Sequence, residues 1–156
     1  MGAGTGLTLR RATPADAREA ARIIGESLAE YGLPFEPEGR DADVATFGAK
    51  VDYDDLVVED EGHVIGVASV GPQGDEGVAW ISKVFVAKEA RRRGAGRSLL
   101  DALHDAARGR GFREVGLRTR TIFRDAIALY ESLGYALSED PATVIETGDV
   151  VYYRAL

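Results

Sequence analysis

The chain has 156 residues, of which 45% are hydrophobic and 29% charged, the usage of one ordinary globular domain. Its 19 basic and 26 acidic residues give a net charge of −7, which argues against a nucleic-acid partner, and the lack of cysteine excludes disulfides and a thiol nucleophile. No apolar run has membrane-spanning length and no signal-peptide pattern is present, so we expect a cytoplasmic protein with no membrane partner.

The N-terminal part of the chain contains a strand and a helix. Residues 1–6 are small and polar and are expected to be a flexible terminus, before a single domain over residues 7–156. Leu7–Arg10 is predicted to be a strand. Thr13–Pro14 suits a helix start, because threonine caps and proline fits the first helical position. Apolar residues at helical spacing then extend the helix to Tyr31–Gly32.

The middle of the chain changes from loop to strands. Gly32–Asp43 contains two prolines and four acidic residues and is predicted to be a loop. A short second helix is predicted over Val44–Val51. Three apolar runs separated by short turns then predict an antiparallel meander. These runs are Leu56–Glu59, His63–Val70 and Val78–Val86.

The C-terminal third alternates between helices and strands. A central helix follows the turn after Val86 and closes at Gly111–Phe112, because glycine is typical just past a helix end. The remaining elements are predicted to be a strand over Glu114–Arg118, a helix over Phe123–Leu133, and a final hairpin-like pair formed by Tyr135–Leu137 and Val150–Arg154. The order is β-α-α-βββ-α-β-α-ββ, without an internal repeat.

An arginine- and glycine-rich turn, Ala90–Arg97, joins the last meander strand to the central helix. A helix N-terminus offers unpaired N–H groups and the positive end of the helix dipole, and glycines let the backbone approach a ligand. The charge is also segregated: residues 91–124 contain ten arginines and three acidic residues, so they carry +7 and the rest carries −14. This combination favours a site for one small polyphosphate.

Two motifs in the expected order resemble those of the GCN5-related N-acetyltransferase (GNAT) family. The first is Arg91-x-x-Gly94-x-Gly96 after a strand, which is similar to the family's acyl-CoA loop. The second is the stretch 126–135, a helix with Tyr130 followed by Gly134-Tyr135. The resemblance implies an α/β fold with a mixed, mostly antiparallel sheet that splays between strands 4 and 5 and is flanked by helices. It also implies an acyltransferase that moves an acetyl group from acetyl-CoA to a primary amine by direct attack.

The resemblance further implies which residues hold acetyl-CoA. The strand Val84, Phe85 and Val86 would pair with the pantetheine arm, and the loop and first helical turn would hold the pyrophosphate. The loop residues are Arg91, Arg92, Arg93, Gly94, Ala95, Gly96, Arg97 and Ser98. Arg120 occupies a position where relatives often carry an asparagine that contacts pantetheine. Because arginine is longer and charged, its side chain is expected either to contact a CoA phosphate or to point into solvent.

Tyr130 occupies the family's general-acid position, where its phenol would meet the leaving thiolate. A core role for the same ring is the alternative. Many relatives carry an acid where this chain has Trp80, so the general base stays open among Glu76, Asp75, Tyr31 and water. Trp80 itself is expected to be a packing residue. In the family, the loop Gly32–Asp43 often lines the acceptor site.

Other interpretations remain beside an enzyme that acetylates a small-molecule amine. One is an acyl-CoA-binding sensor with little turnover, which the missing acid keeps open, and another is a protein or peptide N-acetyltransferase. A P-loop nucleotide binder is disfavoured because Gly-Lys-Ser/Thr is absent. No metal is expected, since only His63 and His104 offer imidazole, without a cluster of further ligands. A homodimer is left open.

Overall fold

The computed structural model describes residues 6–140 and 148–156, so the expected flexible segment 1–6 lies outside the described residues except for Gly6. Its helices are α1 (Ala17–Glu30), α2 (Ala95–Gly109) and α3 (Arg124–Ser132). Its strands are β1 (Leu7–Arg11), β2 (Asp54–Asp60), β3 (His63–Pro72), β4 (Val78–Val86), β5 (Glu114–Arg120), β6 (Ala136–Leu137) and β7 (Asp149–Ala155). Short 3₁₀ turns lie at Pro14–Asp16, Ala42–Thr46 and Lys88–Ala90.

The strands form one mixed sheet in the order β1-β2-β3-β4-β5-β7-β6. Every neighbouring pair is antiparallel except β4–β5, which is parallel. The predicted meander β2-β3-β4 and the predicted pairing of β6 with β7 are confirmed, as is the fold class. Because β4 and β5 are parallel, the helix α2 connects them as a crossover.

Different helices cover the two faces of the sheet. On one face the Ser69 hydroxyl donates to Asp55 Oδ1 at 2.5 Å, and Asp55 Oδ2 accepts the Gly48 amide at 2.8 Å, so the segment after α1 packs here. Gly66, three residues before Ser69, points the other way, where an added Cβ would lie 3.3 Å from Leu99 of α2. We call these the α1 face and the α2 face.

The core fills both sides of the sheet. Ile23 and Ile24 of α1 are fully buried on one side, and Leu99, Leu100 and Leu103 of α2 are fully buried on the other. Each buried aliphatic side chain stabilises the fold by about 1.5–3 kcal/mol relative to an exposed one. Among the described residues, no helix has the length and apolar character needed to cross a membrane.

The second helix, predicted over Val44–Val51, is the one element that was wrong. The structure has a 3₁₀ turn over Ala42–Thr46 instead, followed by Phe47, which is buried, and Gly48 at φ +85°. A left-handed residue stops a right-handed helix, so the apolar residues of this segment anchor a loop.

The sheet opens between β4 and β5. The parallel pairing runs only from Val78 opposite Glu114 to Ile81 opposite Leu117. Beyond it, β5 stays paired with β7 as far as Arg120, whereas β4 stays paired with β3 as far as Val86. Two steps along β3 match three along β4 at this point, so β4 bulges near Lys83, which has φ +57°. The bulge bends the strand, and a cleft forms between the two strand ends.

Candidate active site

The cleft between the strand ends has a volume of about 860 Å³ and passes from the α2 face to the α1 face. Its walls come from α1, the following loop, β4, the loop before α2, β5 and α3. The residues proposed from the sequence that line it are Val84, Phe85, Val86, Arg91, Arg92, Gly94, Ala95, Gly96, Arg97, Arg120 and Tyr130. The structure therefore brings two distant motifs, 91–97 and 126–135, to one cavity.

The loop before α2 exposes the first amides of the helix. Arg92 at φ +67° and Gly94 at φ +80° wind the chain into the helix start. The Ser98 amide donates to the Gly94 carbonyl at 3.0 Å, which leaves the amides of Ala95, Gly96 and Arg97 without an intrahelical acceptor. These free N–H groups and the helix dipole make the α2 N-terminus suitable for binding an anion at the mouth of the cleft. Ser98 is exposed in the first turn.

The loop arginines have different partners. Arg91 forms a two-point ion pair with Glu30, at 2.5 and 3.1 Å, and its Nε donates to the Val86 carbonyl at 3.0 Å. Arg93 pairs with Asp60 at 2.8 Å. Arg92 and Arg97 line the cleft and have no ion-pair partner within the described ranges. Two loop arginines are thus already engaged by carboxylates, and two are open to a ligand.

Tyr130 lies at the inner end of the cleft, with 5% of its surface exposed. In the described part of the chain every fully buried side-chain nitrogen or oxygen has a hydrogen-bond partner, and the Tyr130 hydroxyl has none there. The hydroxyl is therefore not fully buried, and Tyr130 lines the cleft. Burial raises the pKa of Tyr130 to about 12, because the phenolate would lose its hydration. The phenol is neutral and able to donate a hydrogen bond at any ordinary pH.

A buried hydrogen-bonded chain lies behind Tyr130. Arg154 Nη1 donates to His104 Nδ1 at 2.8 Å, and His104 Nε2 lies 2.6 Å from the Tyr135 hydroxyl. Since the guanidinium only donates, Nδ1 accepts, and the neutral imidazole carries its proton on Nε2. Burial and the charge of Arg154 lower the pKa of His104 to about 4. The Tyr135 ring packs 5.7 Å from the ring of Tyr130, so the chain supports the inner end of the cleft.

Trp80 packs, as expected from the sequence. Its ring meets Tyr153 edge-on at 5.7 Å, and its indole N–H donates to Asp75 at 2.7 Å. That hydrogen bond occupies Asp75, and Glu76 lies exposed in the same β3–β4 turn. Of the base candidates Tyr31 lines the cleft, where its ring packs edge-on against Phe123 at 4.8 Å.

Several cleft residues were not found from the sequence. The carboxylates Asp125 and Asp149 line the cavity, as does Lys83, which pairs with Asp43 at 2.5 Å; Asp41 also lines it, from the loop 32–43 that was expected to line the acceptor site. They come from four separate segments and form no local motif, so only the folded chain brings them together. Within residues 6–140 and 148–156, no three His, Asp or Glu side chains are grouped to hold a metal ion.

A parallel strand pair that opens onto a helix N-terminus, with a neutral tyrosine inside the opening, suits acyl transfer from a thioester of coenzyme A. The chain matches the model of the Acetyltransferase (GNAT) family over residues 22–135. It is 32% identical over 141 residues to the uncharacterized N-acetyltransferase YjgM of Escherichia coli (strain K12), covering 81% of this chain and 80% of that protein. The chain belongs to the GNAT family and is an acyltransferase, which confirms the resemblance stated from its motifs.

Two solved structures with a similar fold belong to enzymes whose names state an acceptor. The phosphinothricin acetyltransferase of Sinorhizobium meliloti in complex with AcCoA superposes with a TM-score of 0.76 at 27% identity, covering 97% of this chain and 89% of that one. The ribosomal-protein-alanine N-acetyltransferase of Brucella melitensis has a TM-score of 0.75 at 26% identity, with 96% and 99% covered. The two enzymes are named for different acceptors, so the shared fold does not select one.

Proposed function

We propose that the protein transfers an acetyl group from acetyl-CoA to a primary amine of a small molecule or amino acid. One observation carries the proposal: a single cleft leads from the free amides of the α2 N-terminus, along the opened edge of β4, to the hydroxyl of Tyr130. These three features match the three parts of acetyl-CoA, which are the pyrophosphate, the pantetheine arm and the thioester.

The opened edge of β4 fits the amide-rich pantetheine arm. The Ala87 amide donates to the Ile65 carbonyl on β3, so the alternate residues Val86 and Val84 direct their backbone groups away from β3. The Val86 carbonyl accepts from Arg91 rather than from a strand. The amide groups of an extended pantetheine arm would form hydrogen bonds with this edge of β4, as an added β-strand does.

The start of α2 fits the pyrophosphate. The three free amides of Ala95, Gly96 and Arg97 would donate to its oxygens, and the Arg92 and Arg97 side chains would add charge-assisted hydrogen bonds. An added Cβ on Gly96 would lie 3.3 Å from Leu129 and 3.9 Å from Val86, so this position has little room for a side chain beside the cleft.

Tyr130 would act on the leaving group. Acetyl-CoA supplies a thioester, whose carbonyl carbon forms a bond to the acceptor nitrogen while its C–S bond breaks. Tyr130 would donate a hydrogen bond to the sulfur as it gains negative charge. With a pKa of about 12, against about 8.5 for a free thiol, the phenol keeps its proton and stabilises the thiolate without transferring it completely. The proton lost by the amine goes to water or to a cleft carboxylate.

Release of free CoA with a panel of amines tests this function against the alternatives. Steady turnover with small amines supports the proposal, and turnover confined to peptides would identify a peptide acetyltransferase. Tight acetyl-CoA binding without turnover would identify the sensor. The sensor was kept open by the missing acid at Trp80, but Asp41, Asp125 and Asp149 supply carboxylates to the cleft from other segments.

A further inference from the structure

Two arginines of β5, Arg118 and Arg120, lie on the side of the cleft away from the loop 91–97, which we call the phosphate loop. Gly116 of β5 packs against Trp80 and Tyr153, since an added Cβ would lie 3.0–3.1 Å from their rings. Trp80 is two residues from Ser82, which pairs with Ser69 of the α1 face. Side chains alternate along a strand, so Arg118 joins Gly116 on the α1 face.

The same alternation places Arg120 on the α1 face. The α2 face of β5 is marked independently by Val115, which is opposite Arg154, the residue that contacts His104 of α2. Arg118 and Arg120 therefore project away from α2, whose N-terminus is suitable for binding an anion as described above. Arg118 and Arg120 nevertheless line the same cleft as the start of α2, because the cleft passes through the sheet from one face to the other.

Neither guanidinium group has a hydrogen bond or ion pair within residues 6–140 and 148–156, although the backbones of both residues are paired in the sheet. The contrast with other arginines is clear, since Arg91, Arg93 and Arg110 each pair with a carboxylate. Two residues apart on one strand face, the two Cα atoms of Arg118 and Arg120 are about 7 Å apart. Two guanidinium groups that repel each other beside a cavity are expected to gain from a bound anion.

We propose that Arg118 and Arg120 bind an anionic group, a carboxylate in the first place, on the acceptor amine. This inference rests on the proposed acetyl transfer and narrows its substrate class to amino acids and similar acidic amines. It replaces the CoA contact that the resemblance left open for Arg120. Asp149 pairs in register with Arg120 on β7 and also lines the cleft.

Matched acceptors and matched variants test the inference. Each amino acid is compared with its carboxamide and its decarboxylated amine, by CoA release, in the parent protein, in Arg118→Gln/Arg120→Gln, and in Arg108→Gln as control. Arg108 pairs with Asp105 on the outer surface of α2. The parent should prefer the amino acid over its carboxamide and its decarboxylated amine by about 30-fold in kcat/KM. The reason is that neither of these two acceptors can form the charge-assisted hydrogen bonds that the carboxylate forms. The double variant should lose this preference through a higher KM for the acid alone.

The outcomes separate the two proposals. Acetyl-CoA affinity, measured by calorimetry, should be the same in all three proteins. An unchanged preference in the double variant, or a parent that favours the uncharged amines, would overturn the inference and leave acetyl transfer standing. Weaker acetyl-CoA binding in the double variant would return both arginines to the cofactor and also overturn it. If no amine releases CoA, the proposed function fails and the inference falls with it.

Discussion

The two mouths of the cleft share the strands β4 and β5 but are built differently. The mouth on the α2 face consists largely of backbone: three helix amides, the opened edge of β4 and a turn held by Gly94 at φ +80°. The mouth on the α1 face consists of side chains, such as Arg118 and Tyr31, which come from distant segments. A site made of backbone groups tolerates most changes of side chain but is blocked by a Cβ added at a glycine. A site made of side chains is instead lost when one of those side chains is replaced.

The largest effect is expected from Gly94→Leu/Gly96→Leu. The new side chains would crowd the helix amides: nothing lies within 4 Å of a Cβ on Gly94, although φ +80° strains any side chain there, and a Cβ on Gly96 would lie 3.3 Å from Leu129. Loss of two charge-assisted hydrogen bonds predicts roughly thousandfold weaker acetyl-CoA binding, about 4 kcal/mol. Calorimetry measures the affinity. Gly109→Leu, in the last turn of the same helix, is the control, and normal binding by the folded double variant would place the pyrophosphate elsewhere.

The second prediction concerns the support of the α2 mouth. The pKa of His104 is lowered to about 4 in the fold, against about 6.5 in the unfolded chain, so the unfolded chain binds more protons between these values. Stability conferred by the neutral imidazole is therefore complete above pH 6.5 and is lost as the pH falls toward 4. The free energy of unfolding should drop by about 3 kcal/mol over this window.

Denaturant titrations at several pH values measure this loss, and His104→Gln separates it from other groups. Glutamine offers both an acceptor toward Arg154 and a donor toward Tyr135 but does not titrate. The variant should show a flatter dependence on pH than the parent. Parallel curves for the parent and His104→Gln would mean that His104 is not the group that titrates.

The third prediction concerns Tyr130, where the two mouths meet. Tyr130→Phe keeps the ring and its packing but removes the hydroxyl proposed to face the leaving sulfur. The single-turnover rate should fall about 100-fold, or about 2.7 kcal/mol of barrier, with acetyl-CoA affinity unchanged. Tyr152→Phe is the matched control, because that hydroxyl bonds Glu131 outside the cleft. A parent-like rate in Tyr130→Phe, with chemistry limiting, would make this tyrosine a packing residue.

The same prediction has a pH signature. With a pKa of about 12, Tyr130 stays protonated through pH 10, so the single-turnover rate should not fall on the alkaline side through ionisation of this phenol. The rate should instead rise with pH as the acceptor amine loses its proton. A loss of rate between pH 8 and 10 that disappears in Tyr130→Phe would contradict the assigned protonation state.

The difference between the mouths also explains what the sequence could predict. The phosphate loop is contiguous and lies between a strand and a helix, so its position followed from local patterns and the family motif. The strands and all three α-helices followed from periodicity. The bulge at Lys83 could not be predicted, because lysine rarely adopts a positive φ and nothing local marks the position. The predicted helix over 44–51 was wrong for a similar reason, since its apolar residues serve tertiary packing.

Most of the cleft wall on the α1 face could not be predicted from the sequence, for a topological reason. Asp149 and Arg118 line the same cleft only because β5 pairs with β7. Asp41 reaches this cleft from the loop after α1. The loop 32–43 was expected to line the acceptor site in the family, and three of its residues line this cleft. Individual contacts of that kind depend on side chains from separate segments, so periodicity and spacing carry no information about them.

The smallest effect is expected where α1 reaches into the α2 mouth. Glu30 holds Arg91 in a two-point ion pair beside the phosphate loop, and both side chains are partly exposed, at 23% and 37%. Partly exposed pairs contribute at most about 1 kcal/mol. Glu30→Gln removes a negative charge near the proposed pyrophosphate site and frees Arg91 for it, so acetyl-CoA should bind about threefold more tightly.

Calorimetry at low and high salt tests the effect of Glu30, because a gain that comes from charge should shrink as salt is added. Asp60→Asn is the matched control: it removes the carboxylate that pairs with Arg93, a residue of the same loop that does not line the cleft, and should leave the affinity unchanged. Weaker binding in Glu30→Gln would show that the ion pair positions Arg91 and the Val86 carbonyl for the ligand. In that case α1 would be a structural part of the cofactor mouth, and the division of the cleft into a backbone half and a side-chain half would fail at this residue.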